Sequence, residues 1–234
     1  MAKVKKSSVI LTCLLLALLC GVLFYIEGNA SKYIIRITRL CAINIVLALS
    51  MNLVNGFTGI FSLGHAGFMA IGAYSVALLT IPVAKKETIF MLEPLIAPLN
   101  TLTLPFGVAL IIGGLLAAAL AFLIGLPCLR LRGDYLAIAT LGFSEIIRII
   151  ITNAQCLTNG AQGLKSIPAT ANIWWCYGIA LATIIFIALL ISSSYGRAFK
   201  AIREDEIAAE SMGVSLLRHK MLSFMHSAST PAVA

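Results

Sequence analysis

Long apolar runs, each closed by a short polar stretch, set the pattern of this chain. The first covers Val9–Ile26. At about 1.5 Å per residue such a run of about 18 residues reaches roughly 27 Å, close to the thickness of a bilayer's hydrocarbon core. Further runs cover about Tyr33–Val54, Ile60–Val83, Leu104–Leu126, Tyr135–Thr152 and Ile173–Ile191. A segment inside lipid must satisfy its own backbone polar groups, so these runs predict helices and an all-α, polytopic integral membrane helix bundle of about six spans. The first run has a second reading, a cleavable signal peptide, because Gly28-Asn29-Ala30 resembles a small-x-small cleavage site. Its length exceeds the roughly 7–15 residues of a signal core, which favours a retained first span.

One run differs from the rest. Between Asn52 and Tyr74 stand five glycines, at 56, 59, 64, 67 and 72, with Asn52, Asn55, Thr58, Ser62 and His65 among them. Glycine permits close helix approach and permits a helix to break where freed carbonyls line a cavity. Polar groups at membrane depth mark substrate paths more often than anchors. The expectation is a broken or re-entrant segment at Asn55–Gly59, with Asn52, Asn55, Thr58, Ser62, Gly64 and His65 as candidates for a translocation path. A tightly packed helix pair without transport is the plainer reading, and in it His65 only caps a helix at the inner interface. Ser62, Ala66 and Ala70 predict one small-residue stripe, and Gly113, Ala117, Ala121 and Gly125 a second.

Composition agrees with the pattern. Only 11% of the 234 residues are charged, against about 25% in ordinary soluble domains. Mean hydropathy is +1.01. The net charge of +8 lacks the basic and aromatic interleaving of a nucleic-acid surface. Most positive charges instead fall at the ends of apolar runs, with an excess on the segments placed inside, including Lys3, Lys5, Lys6, Arg130 and Arg132. That places the amino terminus in the cytoplasm. Arg36 and Arg39 snorkel to the outer interface in this reading. Trp174, Trp175 and Tyr177 open the sixth span as an aromatic belt. The outer loop of residues 84–103 holds Glu93, Pro94 and Pro98. The six cysteines form no Cys-x-x-Cys pair and the three histidines no zinc spacing, so no metal site is expected.

Two charged features remain. Glu145 and Arg148, three apart in the fifth run, share a helical face and either pair within the membrane, contact a partner helix or snorkel to the headgroups. Residues 193–219 form the most polar stretch. Within it Ala198, Ala201 and Ile202, then Ile207, Ala208 and Met212, recur at helical spacing. Two short amphipathic helices are predicted, with Gly213 ending the second. A solvated loop is the plainer reading; ordered amphipathic helices would need cover for their apolar faces, and a soluble partner protein is a natural source of it.

Three stretches carry a family resemblance: Ser62-Leu-Gly-His-Ala-Gly-Phe68 with Gly72-Ala-Tyr74; Gly125 to Phe143, running on through Glu145 and Arg148; and Gly196 to Gly213. Together they resemble the permease subunits of bacterial branched-chain amino acid ABC importers, over nearly all of residues 33–224. The resemblance implies residence in the bacterial inner membrane, two separate ABC ATPase subunits, a homologous second permease and a periplasmic substrate-binding protein. It implies no cofactor and no enzyme activity in this chain, since ATP binds the partner subunits. No Gly-x-x-x-x-Gly-Lys-Ser/Thr phosphate loop occurs. Residues 193–219 resemble the importers' coupling loop, a Glu-Ala-Ala, three residues, then Gly. Here Ile207 replaces the glutamate, Glu206 precedes it, and Ala208, Ala209 and Gly213 complete the pattern. The resemblance implies that these three, with Arg203, Glu204, Asp205 and Glu206, dock on the ATPase.

The permease domain is therefore expected over 1–224. Residues 225–234 read as an atypical tail, as left by a truncation or frameshift. A related urea or amide permease shares the motifs and is the runner-up substrate class. A secondary transporter driven by an ion gradient would use Glu145 and Arg148 as a relay. A non-functional remnant would account for the atypical tail.

Overall fold

The structure, a computed structural model, describes residues 6–90, 95, 99–131, 133–165, 167–168 and 170–233. Lys3, Lys5, Glu93, Pro94, Pro98 and Arg132 lie outside them. Every regular element among the described residues is helical. The chain runs α1 (Lys6–Asn29), α2 (Lys32–Met51), a π-helical turn (Asn52–Phe57), α3 (His65–Thr80), α4 (Val83–Ile89), α5 (Phe106–Cys128) and α6 (Asp134–Asn153). It continues through α7 (Gln155–Thr158), a 3-10 turn (Gly160–Gln162), α8 (Ile173–Ser192), α9 (Ser194–Glu204), α10 (Glu206–Ser211) and α11 (Leu216–Val233).

Lys32–Phe57, Phe106–Cys128, Asp134–Asn153 and Ile173–Ser192 are long and apolar enough to cross a membrane. Large apolar side chains stand exposed along them, such as Ile111, Leu115, Leu123, Ile138 and Leu189. Such surface suits lipid or further membrane helices and not water. The chain is thus a multi-pass helical membrane protein.

Packing between helices follows the small residues. On α5, Gly113, Ala117, Ala121 and Gly125 are all buried, as expected. Gly113 meets Val76 and Ser75 of α3, and Gly125 meets Met221 and Phe224 of α11. Gly67 lets α3 close on Ser144 and Ile147 of α6, and Gly72 lets it close on Ala232 of α11. Phe68 and Phe224 meet edge to face, 5.5 Å between centroids, within a core that includes Val54, Ile60, Ile124, Leu136 and Ile147. At the other end of the bundle Tyr177 of α8 donates to the Thr38 carbonyl of α2 at 3.2 Å. Trp174 donates to Glu27 of α1 at 2.6 Å.

Two expectations need correction. The third span, expected over Ile60–Val83, is a helix only from His65 to Thr80. At 1.5 Å per residue it reaches about 24 Å, short of a full crossing. Side-chain hydrogen bonds hold residues 58–64 out of helix, and Pro82 follows the other end. The stripe Ser62, Ala66, Ala70 therefore does not exist as one helical face: Ser62 precedes the helix and Ala66 is exposed. Gly67 and Gly72 make the close contacts instead. Arg39 is half-buried, with its Nε shielded and its place at the outer end of α2 kept.

Residues 225–233, set apart in the sequence as a tail, form the second half of α11 and pack on α3 and α5. Ser227, Ala228 and Ala232 are buried there.

Candidate functional site

The break between α2 and α3 is a built structure. The α2 helix widens at Asn52 into one π turn. Thr58 then closes it: its N–H and hydroxyl both donate to the Leu53 carbonyl, at 3.3 and 3.0 Å. Gly59 follows with φ +73, a left-handed conformation that costs a residue with a Cβ. The Asn55 side-chain oxygen accepts from the Ser62 N–H at 3.2 Å, spanning the bend. The Ser62 hydroxyl accepts from the Gly64 N–H at 3.4 Å, and Thr140 of α6 accepts from the Leu63 N–H at 3.1 Å. His65 opens α3, its Nε2 lying 2.5 Å from the Ser227 hydroxyl of α11. Asn52 places its side-chain oxygen against Gly56.

All six candidate path residues thus gather at one junction. Thr58, Ser62 and Gly64 are buried, Asn55 and His65 are half-buried, and Asn52 is exposed. Their polar groups are mostly spent on the chain's own backbone. The arrangement is a hinge with a defined set of bonds to break, and not an open pore.

A helix pair sits on this hinge. In α9 the apolar face, Gly196, Phe199 and Ile202, is buried against the bundle. Arg203 reaches the break: its Nη1 donates to the Gly56 carbonyl at 3.1 Å, and its aliphatic stem packs on Gly59. A methyl group at Gly59 would stand 2.8 Å from the Arg203 Cγ. Lys200 lies 6.0 Å above the Phe57 ring, a cation–π contact. Arg203 also pairs with Glu204 at 2.5 Å.

The turn into α10 explains its acidic run. Asp205 is the N-cap, accepting from the Ile207 and Ala208 N–H groups at 2.8 and 3.1 Å. Glu206 pairs with Lys220 of α11 at 2.6 Å, and Lys220 is buried. Gly213, with φ +83, ends α10 as expected. Its N–H bonds the Glu210 carbonyl at 2.9 Å and the Val214 N–H bonds the Ala209 carbonyl at 3.1 Å, a Schellman pair.

The seven residues expected at an ATPase contact therefore divide. Arg203, Asp205 and Glu206 bond to the break, the α10 N-terminus and Lys220, although Arg203 and Asp205 stay exposed, and Ala209 is buried. Glu204, bonded only to its neighbour Arg203, is exposed, as are Ala208 and Gly213. The residues most open beside them are apolar: Ile207 is 71% exposed and Met212 85%. The sequence shows them as apolar positions in a polar stretch, without showing that they stay uncovered while the apolar face of α9 is buried. Nothing in the local sequence of Lys220 marks it as a buried charge.

Glu145 and Arg148 pair with each other on an outward face of α6. Both side chains are more than half exposed.

The fold defines a polytopic helical membrane protein whose internal hinge is bonded to a peripheral helix pair. The family model described as "Branched-chain amino acid transport system / permease component" matches residues 33–234, and the chain belongs to that family. It is similar to the high-affinity branched-chain amino acid transport system permease protein LivM of Escherichia coli strain K12, 37% identical over 232 residues. The Salmonella typhimurium protein of the same name is 35% identical over 232 residues. Each alignment covers 85% of this chain and 50% of the relative, so the chain spans about half the length of these curated relatives. A probable branched-chain amino acid transport permease protein of Methanocaldococcus jannaschii is 24% identical over 222 residues, 81% of this chain and 62% of that one. No solved structure matches.

Proposed function

We propose that the chain works as membrane-spanning permease in an ATP-driven importer of branched aliphatic amino acids. It acts in the bacterial inner membrane with its amino terminus in the cytoplasm. It carries no cofactor, and ATP is bound and hydrolysed by two separate subunits. A homologous second permease and a periplasmic binding protein complete the assembly.

One observation carries this reading: α9 is bonded through Arg203 to the Gly56 carbonyl, inside the break between two membrane helices. A force on the exposed α10 face, Ile207, Ala208 and Met212, passes through α9 to that hinge. Closure of an ATPase dimer supplies such a force. The hinge bonds then exchange and the α2–α3 junction reopens the path, which is alternating access. The substrate class is the one named for the similar LivM permeases.

Uptake of labelled leucine and of labelled urea, in right-side-out vesicles holding the co-expressed subunits, tests the reading. Leucine uptake should require ATP and survive collapse of the proton gradient at constant ATP. Urea uptake alone would reassign the substrate, and loss with the gradient would favour an ion-driven carrier. Gly213→Arg adds a large charged side chain at the exposed end of α10 and also strains its φ +83 turn. It should abolish uptake while membrane insertion is kept. Uptake that survives it would sink the docking model.

A further inference from the structure

A cavity of about 400 Å³ lies between α2, α3, α5 and α8, beside Ile167, Pro168, Thr170 and Ala171 and the end of α11. It sits at the opposite end of α2 and α3 from the hinge, on the side that the permease reading places outside. Its volume falls in the range of roughly 300–1,000 Å³ typical of small-molecule sites. The wall is hydrocarbon: Ile43, Met69, Val76, Leu110 and Ile167 line it.

One charged residue enters that wall, Arg39 of α2. Its Nε is fully buried and has no hydrogen-bond partner. Among the described residues no carboxylate pairs with it, and none lines the cavity. Arg39 as a whole is half-buried, and it is the Nε edge of its guanidinium that is shielded. A guanidinium stays charged at any accessible pH, so that edge cannot lose its need for an acceptor by losing a proton. A donor shielded among apolar groups without a partner is costly. Its planar fork matches a carboxylate with two parallel hydrogen bonds. The rest of the cavity suits branched hydrocarbon.

We propose that this cavity is a substrate subsite in which Arg39 holds the carboxylate of a branched aliphatic amino acid. The proposal rests on the permease reading above and adds where and how the solute is held. It also makes a chemical distinction. With no carboxylate among the described residues of the wall, the ammonium group of the ligand contributes little, so recognition falls on the carboxylate and the hydrocarbon tail.

Cys176 of α8 lines the same cavity and serves as reporter. The full chain, with Cys13, Cys20, Cys41, Cys128 and Cys156 changed to Ala, is reconstituted in phosphatidylcholine nanodiscs and labelled with a small methanethiosulfonate. Leucine and 4-methylpentanoate should each slow Cys176 labelling, by about tenfold at ten times Kd, since only the unliganded fraction reacts. Leucinamide, which lacks the carboxylate, should not protect. Arg39→Gln should abolish protection, while Arg36→Gln keeps it. The ligand comparison needs no Arg39 variant, so a misfolded Arg39→Gln leaves the test standing. Equal protection by leucinamide, no protection by any solute, or protection retained in a folded Arg39→Gln would overturn the proposal. So would protection by short-chain phosphatidylglycerol in place of leucine, which would make the cavity a lipid site. The readout uses neither ATP nor partner subunits, so its failure leaves the importer reading to the uptake test.

Discussion

Single residues decide how closely these helices approach. Gly72 has no room for a side chain: a Cβ there would run into the backbone and side chain of Ala232. Because backbone cannot step aside cheaply, Gly72→Ala should destabilise the α3–α11 contact by about 1–3 kcal/mol, the usual cost of overpacking. Gly142 is the control, since it faces open space on α6. Gly142→Ala should be neutral or stabilising by about 0.5–1 kcal/mol through helix propensity. Thermal unfolding of the two variants in one detergent checks the contrast. Lys86 is a different case. It is buried in α4 and donates to the Leu99 and Leu102 carbonyls, both at 2.7 Å. Burial pushes its ammonium below the usual 10.5. The folded state therefore binds this proton less well than the unfolded chain, so stability rises as pH climbs from the lowered value towards 10.5. Lys86→Met should remove that slope and leave two carbonyls without their donors, costing about 1–3 kcal/mol. Proteolysis of the loop after α4 across alkaline pH reads both effects.

At the scale of elements, the 58–64 segment is the one to test. Its Leu63 N–H reaches across to Thr140 of α6, and Thr140→Val removes that acceptor while keeping the shape. The expected cost is about 0.5–1.5 kcal/mol, confined to the hinge, because a part-buried donor loses its acceptor. Hydrogen exchange at Leu63 should rise by about tenfold or more, with the core of α5 unchanged. An unchanged rate would show that the segment is held by packing alone. The same segment shows what sequence reading reaches. The apolar runs announced α2, α5, α6 and α8, because a bilayer demands length and backbone self-sufficiency. The stripe on α5 was legible, because close packing in lipid selects small residues at every fourth place. The break was legible as a break but not in its position. Its boundary is set by Asn55 bonding Ser62 seven residues away, and no local propensity reports that bond. The helix α11 was not legible. Its hydroxyls satisfy themselves on the preceding turn, as Ser223 on Lys220 and Thr230 on His226, so a helix of modest apolar content packs in the core.

Across the whole molecule, two surfaces must act in series: the exposed face of α10 receives force, and the Arg203 contact delivers it. They are separable by substitution. Among the described residues Met212 is the most exposed large apolar one, so Met212→Asp should leave the fold intact. It should prevent the ATPase from co-purifying in mild detergent, since an added charge opposes burial of an apolar docking face. Arg203→Ala acts one step later. The Gly56 carbonyl loses a charge-assisted bond and the Gly59 turn loses the stem packed on it. The docking face is untouched, so the ATPase should still co-purify and hydrolyse ATP, while leucine uptake falls by about tenfold or more for a loss of roughly 1.4 kcal/mol in the linkage. Measuring association, hydrolysis and uptake on both variants gives each a distinct signature. Identical signatures would mean that α9 and α10 form one undivided contact. Full uptake in Arg203→Ala would mean that force reaches the hinge by another route, with the Glu206–Lys220 pair to α11 the first to test.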